Sequence, residues 1–172
     1  MLITPVAIKH QITLNNKELL VGNKIPIRLT PSKPILEQLN LTDLKEDVYV
    51  YAAIMGPKSK IKVHKDDQYP VKWTLIIPPV GHEDVDIEIV SIKEGAVSES
   101  EKIGLTPIGT PVVSFKDEDC ILLESWNLRF GACYFNPTNH WHRAVNNTDE
   151  PRIVYSLRST TIEIDEILKR IA

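Results

Sequence analysis

From Val48 to Ser159 the chain alternates apolar and polar positions with a period of two, broken at short intervals by Gly, Pro and Asn. That period belongs to strands whose successive side chains point to opposite faces. Strands are predicted over Val48–Met55, Lys60–Asp66, Val71–Pro78, Val85–Ile92, Thr110–Phe115, Ser125–Phe135, His142–Asn146 and Arg152–Ser159. The separators are Gly56-Pro57, Gln68-Tyr69-Pro70, Pro79-Val80-Gly81, Asn136-Pro137 and the polar turn Asn146–Pro151. Eight short strands at this spacing predict a mainly β chain folded as a sandwich or barrel of the jelly-roll kind.

Flanking elements follow from the same reading. Val6-Ala7-Ile8, Gln11–Leu14, Glu18–Val21 and Ile25–Leu29, with a turn at Asn15-Asn16, predict a small sheet packed outside the main one, Pro26 confining its strand to an edge or a start. Ser32 as cap and Pro34 in the first turn begin a short helix whose apolar face is Ile35, Leu36 and Leu39. Lys93–Gly109 is the longest loop and the candidate lid. Thr160 with Glu163 has the spacing of a capping box, with acids early and bases late in the run to Ile171, so a C-terminal helix is expected. The expected organisation is one domain, 1–172: an N-terminal β/helix support (1–47), the jelly-roll core (48–159) and the C-terminal helix (160–172).

Composition narrows the class. At 172 residues, 42% hydrophobic and 25% charged, the chain has the make-up of a globular domain. No apolar run approaches the roughly 20 residues of a membrane span, and no N-terminal run is bounded like a signal peptide, so a cytoplasmic protein without a membrane partner is expected. A net charge of −3 argues against a nucleic-acid partner. Cys120 and Cys133 form no Cys-x-x-Cys pair and are expected reduced; Cys133 has no basic neighbour to make it a nucleophile. Oligomeric state has no signature in the sequence.

The candidate chemistry lies in the histidines. In the strand ending at Asp66, Ile61, Val63 and Lys65 share one face and Lys62, His64 and Asp66 the other. His140 and His142 share a face in a later strand, and Arg152, Val154, Ser156 and Arg158 share one in the last. Two ligands from one strand and a histidine from a distant one make a 2-His-1-carboxylate facial set, which leaves coordination positions open and suits Fe(II). A second His-x-Asp, His82-x-Asp84, follows a Pro-Pro-Val-Gly turn and reads as a solvated loop histidine. His140 reads as a turn residue against Trp141, Asp67 as a turn former, Lys62 as a possible pocket residue, and Trp73, Trp126 and Trp141 as core.

His64-x-Asp66, then His142, then Arg152 ten residues on, with Gly131, Phe135-Asn136 and His142-x-Ala-Val-Asn146 around them, resembles the Fe(II)/2-oxoglutarate-dependent oxygenase superfamily. The likeness is to its prolyl-hydroxylase-like and aspartyl/asparaginyl-hydroxylase-like branches. Trp73-Thr-Leu-Ile-Ile-Pro78 resembles the family's Trp-x-Leu-Asn-x-Pro run, with Ile76 in place of Asn. The resemblance covers about Val48 to Ser159 and implies a double-stranded β-helix (jelly roll) with a few flanking helices. It also implies iron on His64, Asp66 and His142, and Arg152 on the distal carboxylate of 2-oxoglutarate, with O2 as oxidant. Arg158, on the face of Arg152, is placed either on the co-substrate or substrate or in a salt bridge to a barrel-rim acid. The implied reaction is hydroxylation of an amino-acid side chain, in a peptide or protein or free, or of a small metabolite. Two further readings use the same residues: a cupin-like metalloprotein that does not use 2-oxoglutarate, and a non-catalytic binding module.

Overall fold

A computed structural model describes residues 1–14, 27–66, 71–101 and 112–172. It is a β-sandwich of jelly-roll type, built from two antiparallel sheets and covered on one side by helices. The first sheet has the order β1 (Thr4–Val6), β11 (Ala132–Phe135), β6 (Thr74–Ile77), β13 (Arg152–Arg158), β3 (Tyr49–Met55), β2 (Ile27–Thr30). The second runs β10 (Cys120–Asn127), β7 (Asp86–Ile92), β12 (Trp141–Asn146), β5 (Val63–His64), β9 (Val112–Phe115), β8 (Glu99–Glu101), with β4 (Ser59–Lys60) pairing β12.

The first sheet is buried on both faces, so β6 and β13 are buried almost residue by residue, with apolar side chains on the helix side and a few polar ones on the other. On β13, Ile153, Tyr155 and Leu157 meet Val50, Ala52, Leu75, Ile77 and the apolar sides of α1 (Lys33–Gln38) and α2 (Ile164–Ile171) in one cluster. Val154, on the other face, joins Met55, Ile76, Cys133 and Phe135 from its own sheet and Ile87, Ile89 and Ala144 from the opposite one in a second cluster between the sheets. Side chains on β13 at 152, 154, 156 and 158 therefore belong to the inter-sheet side.

Several local expectations give way to tertiary context. The segments predicted as a separate N-terminal sheet instead supply the two edges of the first sheet: β1 pairs β11, and β2 pairs β3. Residues 11–14 are irregular, and the expected elements at 15–26, with Pro26, lie outside the described residues. The run Ser125–Phe135 is two strands in different sheets. They are separated by a helical turn at Leu128–Phe130 and by Gly131 at φ +117°, where a Cβ would meet the Val6 carbonyl oxygen at 3.2 Å. Lys60–Asp66 is likewise split, ending as a strand at His64. Part of the expected lid is the strand β8, paired with β9, while 102–109 and Asp67 lie outside the described residues.

Helix starts differ as well. Ser32 precedes α1 without a side-chain cap, although Pro34 occupies its first turn as expected. The capping box at Thr160 does not form: α2 starts at Ile164, and Ser159 Oγ instead accepts the Thr161 and Ile162 N–H groups. Glu163 then pairs Lys72 at 2.8 Å. Among the described residues, no helix is long and apolar enough to cross a membrane.

Candidate metal centre

β5 and β12 lie side by side, with His64 directly opposite His142. Direct pairing puts both side chains on the same face, here the inter-sheet face, and their ring centroids are 4.4 Å apart. Asp66 lies two residues beyond the end of β5. Its N–H donates to the Pro137 carbonyl oxygen at 3.0 Å, which ties the segment to the loop before β12 and returns the carboxylate to the histidines. Asp66 Oδ1 is 3.7 Å from His64 Nε2, and Oδ2 is 4.0 Å from His142 Nε2. One donor atom from each of the three residues falls within 4.8 Å of the others.

Each imidazole is oriented by the same local device. Nδ1 of His64 lies 2.8 Å from the Lys62 carbonyl oxygen, and Nδ1 of His142 lies 2.9 Å from that of His140, in both cases two residues upstream. A carbonyl oxygen only accepts, so Nδ1 carries the proton and the neutral ring keeps its Nε2 lone pair facing inward. Burial, and after it the neighbouring His64 ring, push His142 down to about 3, so its imidazole is neutral at physiological pH. For Asp66 burial works upward, but the Arg158 guanidinium, by its charge and its hydrogen bond, holds the carboxyl below the usual range. Two imidazole lone pairs and one ionised carboxylate thus converge at a buried point. Cis donors on an octahedral ion sit about 3 Å apart at bonds of about 2.1 Å, so the three donors, within 4.8 Å of one another, would have to close by up to about 2 Å to share one metal.

Arg158 completes the group. Its Nη1 is 2.6 Å from Asp66 Oδ2, and its guanidinium lies over the Tyr51 ring at 4.8 Å. This is one of the roles expected for Arg158, with the acid now identified. Beside the histidines a cavity of about 40 Å³ opens between the sheets, lined by Ile61, Ile76, Phe135, Val154 and other apolar side chains, with Thr74, Ser156 and Arg158 as polar groups. Two polar atoms there, Thr74 Oγ1 and Arg158 Nε, are buried without a hydrogen-bond partner.

Arg152 is placed elsewhere. It sits at the opposite end of β13 and does not line this cavity; its Nη1 donates to the Pro151 carbonyl oxygen at 3.1 Å, and its buried Nε has no acceptor. His82, expected as a solvated loop histidine, is half-buried beside it, and its Nδ1 accepts the Ile153 N–H at 3.0 Å. Lys62 pairs Glu99 at 3.4 Å, and Trp141 packs against Phe115 and under Lys65 rather than in the core. Trp73 is buried and Trp126 packs on the inter-sheet cluster. Both cysteines are free, and burial raises the Cys133 thiol, consistent with no nucleophilic role.

Thr74 and Tyr51 were not singled out by sequence reasoning. Thr74 is a polar residue inside the otherwise apolar Trp73–Ile77 run, and that contrast was the available signal.

No family model matches the chain, and no curated protein matches it. Solved structures similar to it include an oxalate decarboxylase of Bacillus subtilis studied for its Mn(II) centres (8% identity, TM-score 0.40, covering 83% of this chain and 28% of that one). Another is the same enzyme at pH 4.6 (8%, TM-score 0.39, 90% and 27%). A third is vicilin from the hazelnut Corylus avellana (13%, TM-score 0.42, 81% and 31%). The chain spans less than a third of the length of each of these.

Proposed function

We propose that this protein is an Fe(II)- and 2-oxoglutarate-dependent dioxygenase that hydroxylates an amino-acid side chain or a small metabolite. The observation that carries the reading is the convergence of His64 Nε2, His142 Nε2 and the Asp66 carboxylate, with both rings anchored through Nδ1 so that their lone pairs face one point. Iron is the metal this N,N,O set suits when positions must remain open. With both bound, the chemistry supplied is oxidative decarboxylation of 2-oxoglutarate to succinate, coupled to insertion of one oxygen atom of O2 into a C–H bond.

Unmade donors on the cavity wall and farther along the same strand face support a carboxylate ligand. Thr74 Oγ1 and Arg158 Nε are buried donors without acceptors on the cavity wall, and Arg152 Nε is another at the far end of the same strand face. A buried donor left unmade is costly, and carboxylate oxygens would satisfy it. In this reading His64, Asp66 and His142 hold the metal, and Arg158 orients and charges Asp66. Thr74 and the two arginines receive carboxylate oxygens, while Phe135, Ile76 and Val154 exclude water from the reacting end.

A second reading, a jelly-roll metalloprotein of the cupin kind that does not use 2-oxoglutarate, is favoured by one observation: Arg152 lies outside the cavity lining while Arg158 is engaged by Asp66. Calorimetric titration of Mn(II), an oxygen-stable stand-in for Fe(II), followed by 2-oxoglutarate, separates the readings. Tight 2-oxoglutarate binding that requires the metal supports the dioxygenase. Metal binding without it supports the second reading, and no metal binding removes both.

A further inference from the structure

The two unmade donors on the cavity wall are neighbours. Thr74 on β6 lies directly opposite Arg158 on β13, and both side chains line the space between the sheets. Directly paired positions have Cβ atoms about 5 Å apart. Thr74 Oγ1 and Arg158 Nε are each buried without an acceptor, with Thr74 fully buried and the Arg158 side chain 14% exposed. A buried donor left unmade is destabilising, more so when it is charged, and two side by side mark a place for one shared acceptor. Ser156, two residues before Arg158 on the same strand face, adds a hydroxyl to that wall.

The guanidinium is not free to find an acceptor elsewhere. Asp66 Oδ2 holds Nη1 at 2.6 Å, and the Tyr51 ring lies under the plane at 4.8 Å. The acceptor must come to Nε, and a carboxylate offers one oxygen to it and one to the Thr74 hydroxyl. Arg152 lies six residues away on the same strand, about 20 Å along it. The four C–C bonds of a five-carbon diacid span only about 5 Å, so with Arg158 held in place one diacid does not meet both arginines. A co-substrate carboxylate at Arg152 leaves Thr74 and Arg158 to a second acid.

The rest of the wall narrows the class of that acid. Ile61, Ile76, Phe135 and Val154 are apolar, and the volume of about 40 Å³ admits a short chain. Among the described residues no Asp or Glu lines the cavity, and the nearby Asp66 is already engaged by Arg158. An ammonium group there would be buried without a counter-ion.

We propose that Arg158 Nε and Thr74 Oγ1 bind the carboxylate of the organic substrate, and that this substrate is a short aliphatic carboxylic acid without an ammonium group. That the acid is substrate rests on the dioxygenase reading; that it binds here does not. In that reaction 2-oxoglutarate supplies two electrons and leaves as succinate and CO2, while O2 gives one atom to a C–H bond of the acid and the other to succinate.

Isobutyrate is a suitable probe, with isobutyramide and 2-aminoisobutyrate as its uncharged and ammonium-bearing counterparts. Heteronuclear NMR of the Arg158 Nε–H, in protein loaded with diamagnetic Zn(II) and in metal-free protein, reads the contact directly. Isobutyrate is expected to shift this resonance saturably, more weakly without metal because Asp66 is then unneutralised. The two counterparts should bind at least about tenfold more weakly. Thr74→Val should weaken isobutyrate about tenfold or more while raising resistance to urea in the ligand-free protein, since it deletes an unmade donor. Thr74→Ser should retain binding. 2-Oxoglutarate should leave the isobutyrate shift in place. Absence of a shift in both forms of the protein overturns the proposal, as does an equal response to isobutyramide or indifference to Thr74→Val. Displacement by 2-oxoglutarate also overturns it, giving the site to the co-substrate. Failure of the dioxygenase reading shows separately, as metal-loaded protein that binds isobutyrate and not 2-oxoglutarate.

Discussion

Nη1 of Arg158 lies 2.6 Å from Asp66 Oδ2, with side chains 14% and 10% exposed, so the carboxylate in the histidine cluster is held by a guanidinium from the opposite sheet. β5 and β12 position the histidines, β13 supplies the arginine, and the Asp66–Pro137 hydrogen bond brings the carboxylate between them. Under the proposed function Arg158 is a positioning residue for the metal.

Arg158→Lys should weaken Mn(II) about 10- to 100-fold while His142→Ala abolishes binding, since a point charge cannot reproduce a guanidinium that stacks over Tyr51 while holding Asp66. Calorimetry on both variants checks this ordering. Equal losses in the two would mean that Arg158 is itself a ligand or that the fold is damaged.

Asp66→Ala removes one member of a buried ion pair and leaves the Arg158 guanidinium without its acid. A loss of about 3 kcal/mol in metal-free unfolding stability is expected. Asp66→Ala combined with Arg158→Met should recover most of that loss without recovering metal binding. Urea unfolding of the pair of variants measures it.

Gly131→Ala places a Cβ 3.2 Å from the Val6 carbonyl oxygen at a backbone angle of φ +117°, where the chain passes from one sheet to the other. The expected cost is about 1–3 kcal/mol, read as a lowered unfolding midpoint. The conservation of β1–β11 pairing in the variant can be followed by amide exchange at Val6 and Ala132.

Acid should weaken the fold through His82. Burial, and after it Arg152, hold its pKa below the ordinary 6.5. The unfolded chain therefore takes up a proton where the folded chain does not, so this contribution to stability falls as pH drops through 6.5 and levels off only below the folded value. Protonation also removes the Nδ1 acceptor of the Ile153 N–H. Denaturant titrations between neutral and mildly acid pH should show a shallower dependence in His82→Ala than in wild type, with lower stability at neutral pH.

Much of the sandwich was legible because two-residue alternation survives wherever one strand face meets the inter-sheet core, as on β3, β12 and β13. Shared faces likewise grouped Arg152, Val154, Ser156 and Arg158; the last three line one cavity, while Arg152, at the other end of the strand, does not. The misses have long-range causes. Nothing local in Ser125–Phe135 announces that Gly131 hands the chain to another sheet, since the constraint is the distant Val6 carbonyl. The Thr160 capping box was overridden when the Ser159 hydroxyl took the neighbouring N–H groups first. The acid facing Arg158 could not be named, because Asp66 lies past its strand and is returned by a loop contact. His82 looked solvated until β13 offered it an unpaired N–H.

The most direct measurement is anaerobic titration of 2-oxoglutarate into Fe(II)-loaded protein, followed by visible absorption. The account predicts a weak charge-transfer band that saturates with 2-oxoglutarate, is absent in His142→Ala and needs more co-substrate in Arg152→Ala while iron stays bound. Iron binding in the wild type with no band at any 2-oxoglutarate concentration would contradict it.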